Sequence, residues 1–180
     1  MYHSTTCRSP IGALTLACDG TNLVGLWIEG QKYYKEAMPE AMAESDDCPV
    51  CSEVSSWLDG YFAGKRPSVS DLPLAPIGSA FRQEVWNILR DIPYGEVITY
   101  GDIAKKLAGK AAGRARMSAQ AVGGAVGHNP ISVIIPCHRV VGANGSLTGY
   151  AGGIWIKARL LELEGVDMTR LFMPKKGTAL

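Results

Sequence analysis

No stretch of this 180-residue chain approaches the roughly 18 consecutive apolar residues that a membrane-spanning helix needs, although 47% of its residues are apolar. The opening Met1-Tyr2-His3-Ser4-Thr5-Thr6 has neither a charged nor an apolar signal region, so a cytoplasmic location and no membrane association are expected. Internal repeats, low-complexity tracts and coiled-coil heptads are also missing, which leaves an ordinary globular chain of one domain or two small ones.

Net charge is nearly absent, at +1, but it is unevenly spread. Residues 1–75 carry five Lys+Arg against ten Asp+Glu, giving −5, and residues 76–180 carry thirteen against seven, giving +6. One half suits contact with a polyanion and the other does not.

The five cysteines, Cys7, Cys18, Cys48, Cys51 and Cys137, are an odd set, and reduced thiols are expected. Cys48-Pro49-Val50-Cys51 has the spacing of a redox pair or half a zinc site, but no second C-x-x-C accompanies it. His3, Cys7 and Cys18 could complete a metal site in principle.

Ser9-Pro10-Ile11-Gly12 reads as a turn, Ala13–Cys18 as an alternating strand, Asp19-Gly20 as a hairpin signal and Leu23–Ile28 as a third strand. Val54–Phe62 has helical spacing, and the proline-bearing stretch 65–77 reads as a linker. Domains are expected at 1–75 and 76–170, with a tail at 171–180. In the second, a helix is expected over Ser79–Arg90 with Phe81, Val85, Ile88 and Leu89 on one face. Thr99 would cap a helix over Tyr100–Leu107, with Asp102 near its N-terminus and Ile98 and Ile103 in staple positions. Ser118 would cap a second helix ending near Gly127.

The body of that second helix, Ala119-Gln120-Ala121-Val122-Gly123-Gly124-Ala125-Val126, has almost no bulk. Two glycines inside a helix cost about 1 kcal/mol each relative to alanine. Such slimness serves either tight packing on a neighbouring helix or close approach to a nucleic-acid groove. Two short helices and a turn carrying Lys110, Arg114 and Arg116 suggest a helix-turn-helix. Those three cations read either as a solvated loop or as phosphate contacts.

The richest stretch is Ile135-Pro136-Cys137-His138-Arg139-Val140. Val133, Ile134 and Ile135 read as a short buried strand that Pro136 must end. Cys137 would then stand at the end of a rigid element. A thiol needs a base or a positive neighbour to become a thiolate, and His138 and Arg139 are one of each. In extended chain adjacent side chains point to opposite faces, so a water is the expected bridge between Cys137 and His138.

Several flanking segments, in this order, resemble the methylated-DNA–protein-cysteine methyltransferases, or O6-alkylguanine-DNA alkyltransferases. They are Phe81–Trp86, Gly95–Tyr100, Ala121–Ala125, Asn129-Pro130, Pro136–Val140, Asn144-Gly145, Thr148–Gly153 and Leu160–Gly165. The match runs from about Ala80 to Gly165 and is loose before residue 75. The resemblance implies an α+β fold: an N-terminal RNase-H-like domain with a small antiparallel sheet, then a mainly helical domain with a winged helix-turn-helix-like motif. It implies irreversible, single-turnover transfer of the alkyl group from O6-alkylguanine, and less readily O4-alkylthymine, in double-stranded DNA to Cys137. The base would be extruded, since it is out of reach inside the duplex. No cofactor or obligate protein partner is implied, and a monomer is expected.

By the same resemblance, His138 oriented by Glu164 forms the relay Cys137–water–His138–Glu164, and Asn129 braces the segment that carries the cysteine. Tyr100 meets the extruded base and stabilises charge on the departing guanine, while Val140, Tyr150 and Ala151 line the pocket. Gln120, Ala121, Gly123 and Gly124 enter the minor groove, with Lys110, Arg114, Arg116 and Arg139 as further DNA contacts. Relatives commonly have arginine at the position of Gln120, which lacks that charge and stacking plane. Some members carry an N-terminal structural zinc, but the cysteines here do not obviously fall on those ligand positions, and no metal is expected. The rival readings are a non-catalytic alkylated-base-binding module of the same fold and a Cys-His hydrolase. The retained cysteine weighs against the first and the lack of an evident oxyanion arrangement against the second.

Overall fold

The computed structural model describes residues 1–38, 42–45, 48–110 and 118–174, the side chain of Lys110 excepted. The chain divides into two compact units, one of Met1–Gly78 with Pro130–Ile134 and the other of Ser79–Asn129 with Ile135 onward. Among the described residues no helix is long and apolar enough to cross a membrane.

The first unit is built on a sheet of order β3-β2-β1-β4, with β1 His3–Ser9, β2 Gly12–Cys18, β3 Leu23–Ile28 and β4 Ala43–Glu44. β1, β2 and β3 are antiparallel neighbours, and β4 runs parallel to β1. Period-two alternation sends Leu14, Leu16 and Cys18 of β2 to one face and Thr15 and Ala17 to the other. Helix α1, Pro49–Phe62, covers part of this sheet with Val50, Cys51, Val54, Trp57, Leu58 and Tyr61 buried. It starts earlier than the apolar spacing implies, because Pro49 supplies the fixed φ of a first helical turn. The stretch expected to be a linker is partly docked: Leu23 N–H donates to Pro73 O (2.7 Å) and Ala75 N–H to Leu23 O (2.9 Å).

The second unit holds α2 Ala80–Arg90, α3 Tyr100–Lys110, α4 Ala119–Gly127 and α5 Ile154–Leu163, with β5 Ile98–Thr99 paired parallel to β6 Val140–Val141. Local chemistry sets the helix starts. Ser79 and Ser118 each accept an N–H of the first turn, from Arg82 (3.4 Å) and Ala121 (3.1 Å). Thr99 and Asp102 cap each other: Thr99 N–H and Oγ1 donate to Asp102 Oδ2 (3.0 and 2.7 Å), and Asp102 N–H donates to Thr99 Oγ1 (3.1 Å). α2 buries Val85, Trp86, Ile88 and Leu89, and the Trp86 indole N–H donates to Ala125 O of α4 (2.9 Å). Beyond residue 170, Phe172 still exchanges backbone hydrogen bonds with Gly145 and Leu147 (3.1 and 2.9 Å).

Candidate active site

The run Val133-Ile134-Ile135 is buried but is not a strand. Only Ile131 bridges to Leu26, after which Ile134 N–H donates to Ser132 O and Cys137 N–H to Ile135 O, both at 2.8 Å. Val133 holds φ +70°, a costly conformation for a β-branched residue. A short buried apolar run looks the same in sequence whether it pairs in a ladder or coils. The coil delivers Cys137 into a 3₁₀ turn, Cys137–Arg139, so Cys137 and His138 are not in the extended arrangement assumed from sequence.

Asn129 organises this turn. Its side-chain N–H₂ donates to Ile135 O (2.7 Å) and to Cys137 Sγ (3.1 Å), joining the chain before the turn to the thiol itself. Cys137 is only 3% exposed. Burial pushes the thiol up from its ordinary value, more than the Asn129 hydrogen bond and the Lys157 charge lower it. The resting side chain is therefore a neutral thiol that needs a base.

His138 and Glu164 are both buried, at 0% and 2% exposure. Glu164 follows the last residue of α5 and directs Oε1 at His138 Nε2 (2.7 Å). Burial alone would raise the Glu164 carboxyl, but its hydrogen bonds and charge interactions with His138 and Arg139 outweigh it and hold the group well below the usual carboxylate range. His138 is pushed below its ordinary value by burial, against the pull of Glu164. A neutral imidazole donating from Nε2 to the carboxylate leaves buried Nδ1, across the ring, with the lone pair of a base.

Arg139, expected as a DNA contact, is turned inward. It is 8% exposed; Nε donates to Glu164 Oε2 (2.8 Å), Nη2 to Oε1 (3.0 Å) and Nη1 to Ile92 O (2.6 Å). A guanidinium fork matches a carboxylate in this bidentate way, so Arg139 serves as a counter-ion to Glu164 inside the protein. Gly95 N–H also donates to the carboxylate (3.2 Å). The sequence pattern identifies the cation correctly but does not distinguish an internal counter-ion from an external one.

Tyr100 opens α3, and its hydroxyl donates to the Thr148 or Gly149 carbonyl (3.2 and 3.1 Å). Burial, then the Cys137 charge, pushes its phenol upward. Gly149 is required there: its φ is +80°, and a Cβ would stand 2.2 Å from Tyr100 Oη. Tyr150 is 1% exposed, its ring meets His138 edge-on at 6.4 Å, and its Oη has no partner among the described residues. Val140 is buried and Ala151 half-buried in the turn before α5.

Lys157 is a site residue that the sequence motifs did not single out. It is 0% exposed, and its ammonium donates to the Val140 and Thr148 carbonyls (2.5 and 2.8 Å). Burial lowers it to about 8. The signal was available: Lys157 lies three residues after Ile154 and three and four before Leu160 and Leu161, on the apolar stripe of α5.

On α4, Gln120, Ala121 and Gly124 are exposed, and Gly123 is half-buried. A Cβ at Gly124 would meet nothing within 4 Å, and one at Gly123 would touch only the Tyr100 ring, at 4.0 Å. The slimness of this face is therefore not demanded by packing within the protein. Lys110 ends α3, its side chain undescribed, and Arg114 and Arg116 lie outside the described residues. In the first unit, Cys18, Cys48 and Cys51 are brought together and are buried, whereas Cys7 and His3 are not part of that group. Sequence spacing alone does not reveal this grouping.

Residues 80–166 match the family described as 6-O-methylguanine DNA methyltransferase, DNA binding domain. Residues 1–76 match the 6-O-methylguanine DNA methyltransferase, ribonuclease-like domain. A methylated-DNA–protein-cysteine methyltransferase of Methanosarcina acetivorans is 47% identical over 166 residues, 92% of this chain and 99% of its own. One from Haemophilus influenzae is 41% identical over 158 residues, covering 88% and 83%. The crystal structure of Mycobacterium tuberculosis OGT in complex with DNA superposes with a TM-score of 0.77 at 43% identity, covering 94% of each chain.

Proposed function

This chain belongs to the 6-O-methylguanine DNA methyltransferase family, and on that premise we propose that Cys137 is the residue that accepts the alkyl group. The protein repairs DNA directly, by alkyl transfer to cysteine, and binds damaged DNA. The observation that carries the assignment of Cys137 is the buried set around it. Asn129 holds Sγ at 3.1 Å, and the neighbouring His138 is paired to Glu164 at 2.7 Å.

In the mechanism, the Cys137 proton passes through a water to His138 Nδ1, and the imidazolium formed is stabilised by Glu164. The thiolate attacks the alkyl carbon on guanine O6. A C–S bond forms as the C–O bond breaks, and the electron pair stays on the guanine. The Tyr100 hydroxyl faces that developing charge as a hydrogen-bond donor. Guanine regains a proton, and the His138 proton returns to solvent, so the net change is alkyl for hydrogen on sulfur. The thioether has no good leaving group, so each molecule acts once.

Val140, Tyr150 and Ala151 line the base pocket in this reading. Val140 O already accepts from Lys157 and keeps one lone pair for a base edge. The slim face of α4 supports minor-groove entry, with Gln120 filling the space of the extruded nucleotide and Ala121, Gly123 and Gly124 close to the groove walls. Lys110, Arg114 and Arg116 supply phosphate contacts. Residues 76–170 act as the transferase domain and 1–75 as its support. A cytoplasmic location fits five cysteines that are all unpaired.

Incubation with duplex DNA carrying labelled O6-methylguanine, followed by peptide mapping, should put the label on Cys137. Cys137→Ser should bind DNA but take up no label, because a serine hydroxyl is too weak a nucleophile at neutral pH. Label on any other cysteine would overturn the assignment.

A further inference from the structure

The first unit gathers three thiols that alkyl transfer does not use. Cys18 ends β2, Cys48 is the N-cap of α1 and Cys51 lies in its first turn. Their Sγ atoms all lie within 4.8 Å of one another, and the residues are 1%, 5% and 3% exposed. The geometry follows from the sequence. Strand alternation puts Cys18 on the same face of β2 as Leu14 and Leu16. The C-x-x-C spacing across a helix start puts Cys48 and Cys51 one turn apart, on one side. Cys48 Sγ accepts the Cys51 N–H (3.3 Å) and stands 2.7 Å from Cys18 Sγ. A backbone N–H aimed at sulfur favours the thiolate.

We propose that Cys18, Cys48 and Cys51 form a binding site for a thiophilic divalent cation of the zinc(II) class, held by three thiolates. Zinc–sulfur bonds of about 2.3 Å in a tetrahedron set ligand sulfurs about 3.8 Å apart. The three atoms thus already lie within the span of one ion, and the Cys18–Cys48 pair need only part by about 1 Å. A disulfide would engage two of the thiols and strand the third, whereas one ion satisfies all three. Binding converts three thiols to thiolates and releases three protons to solvent. The fourth ligand is water, since His3, the ladder partner of Cys18 across β1–β2, does not join the three sulfurs. The ion ties the end of one strand to the start of a helix 30 residues later, so its role is to hold this unit together.

The test uses the reduced full-length protein with zinc(II), and with cobalt(II) as a spectroscopic probe. Expected results are one zinc per chain after desalting, a sulfur-to-cobalt charge-transfer band, and a lower Tm after chelation. Cys48→Ser and Cys51→Ser should each weaken zinc binding at least about 100-fold, and Cys7→Ser should leave it unchanged. Because Cys18 sits in the core, the cobalt spectrum of the unsubstituted protein tests the same site without risk to the fold. The proposal is overturned by a reduced chain that retains no zinc, by a cobalt complex without the thiolate band, or by equal loss in Cys7→Ser. Peptide mapping that finds a Cys18–Cys48 disulfide in freshly purified, metal-free protein also overturns it. None of these readouts depends on alkyl transfer.

Discussion

Replacing Glu164 by glutamine changes one oxygen to an amide and should nearly abolish transfer. The carboxylate accepts from His138 Nε2 and Arg139 Nη2 on Oε1, and from Arg139 Nε and Gly95 N–H on Oε2. A glutamine must put its NH₂ at one of these ends. At Oε2 it meets two obligate donors. At Oε1 it meets one obligate donor and a histidine that can change tautomer. The second placement costs less, and it turns Nε2 into an acceptor and protonates Nδ1. The base needed by Cys137 is then lost, an effect on the scale of about 10³–10⁴-fold in rate.

Losing the negative partner of the buried Arg139 should also cost about 3–5 kcal/mol, or about 10 °C in Tm for a chain of this size. The pH dependence has a definite sign. The folded Glu164 carboxyl lies below its ordinary value, so its stabilisation is complete above about pH 4.3 and is lost as the pH falls below that. His138 is held below its ordinary value, so protonation favours the unfolded chain and stability declines as the pH drops below about 6.5. In Glu164→Gln the loss below about pH 4.3 should flatten. Rapid-quench transfer from labelled duplex, DNA binding by fluorescence anisotropy, and denaturant melts across pH measure the three effects. A rate loss under tenfold in folded, DNA-binding protein would falsify the relay.

Gly149→Ala should displace Tyr100, because the added methyl would stand 2.2 Å from Tyr100 Oη, and slow transfer from free base and duplex alike while DNA affinity holds; unchanged rates would remove Tyr100 from the chemical step. Lys157→Met leaves the Val140 and Thr148 carbonyls without their buried donor and should cost about 2 kcal/mol in denaturant melts, against no measurable change if water replaces the ammonium. Gln120→Arg should tighten duplex binding and speed transfer from duplex while leaving free benzylguanine unaffected; equal acceleration of both substrates would place Gln120 in the chemistry rather than in extrusion.

Much of this protein is written in interactions a few residues long. Ser79, Thr99 with Asp102, and Ser118 set their helix starts through hydrogen bonds spanning three residues, and such caps are visible in any sequence. The run Pro136–Val140 and its flanks are legible because the residue types proposed for transfer fall within a few positions of one another. The strand alternation of β2 and the hairpin after it were legible for the same local reason. What only the tertiary structure decided are pairings that close long loops. Glu164 meets His138 across 26 residues and Arg139 across 25, which gives Arg139 an internal carboxylate partner that no short run of sequence reveals. Cys18 meets Cys48 across 30 residues, which makes a cluster of thiols that spacing alone does not reveal. The coil at Val133 belongs to the same class, since a buried β-branched run becomes a strand only where a partner edge is free to take it. Local propensity carries no information about which distant group arrives. That is settled by packing, which selects one set of long-range partners for each buried charge and thiol.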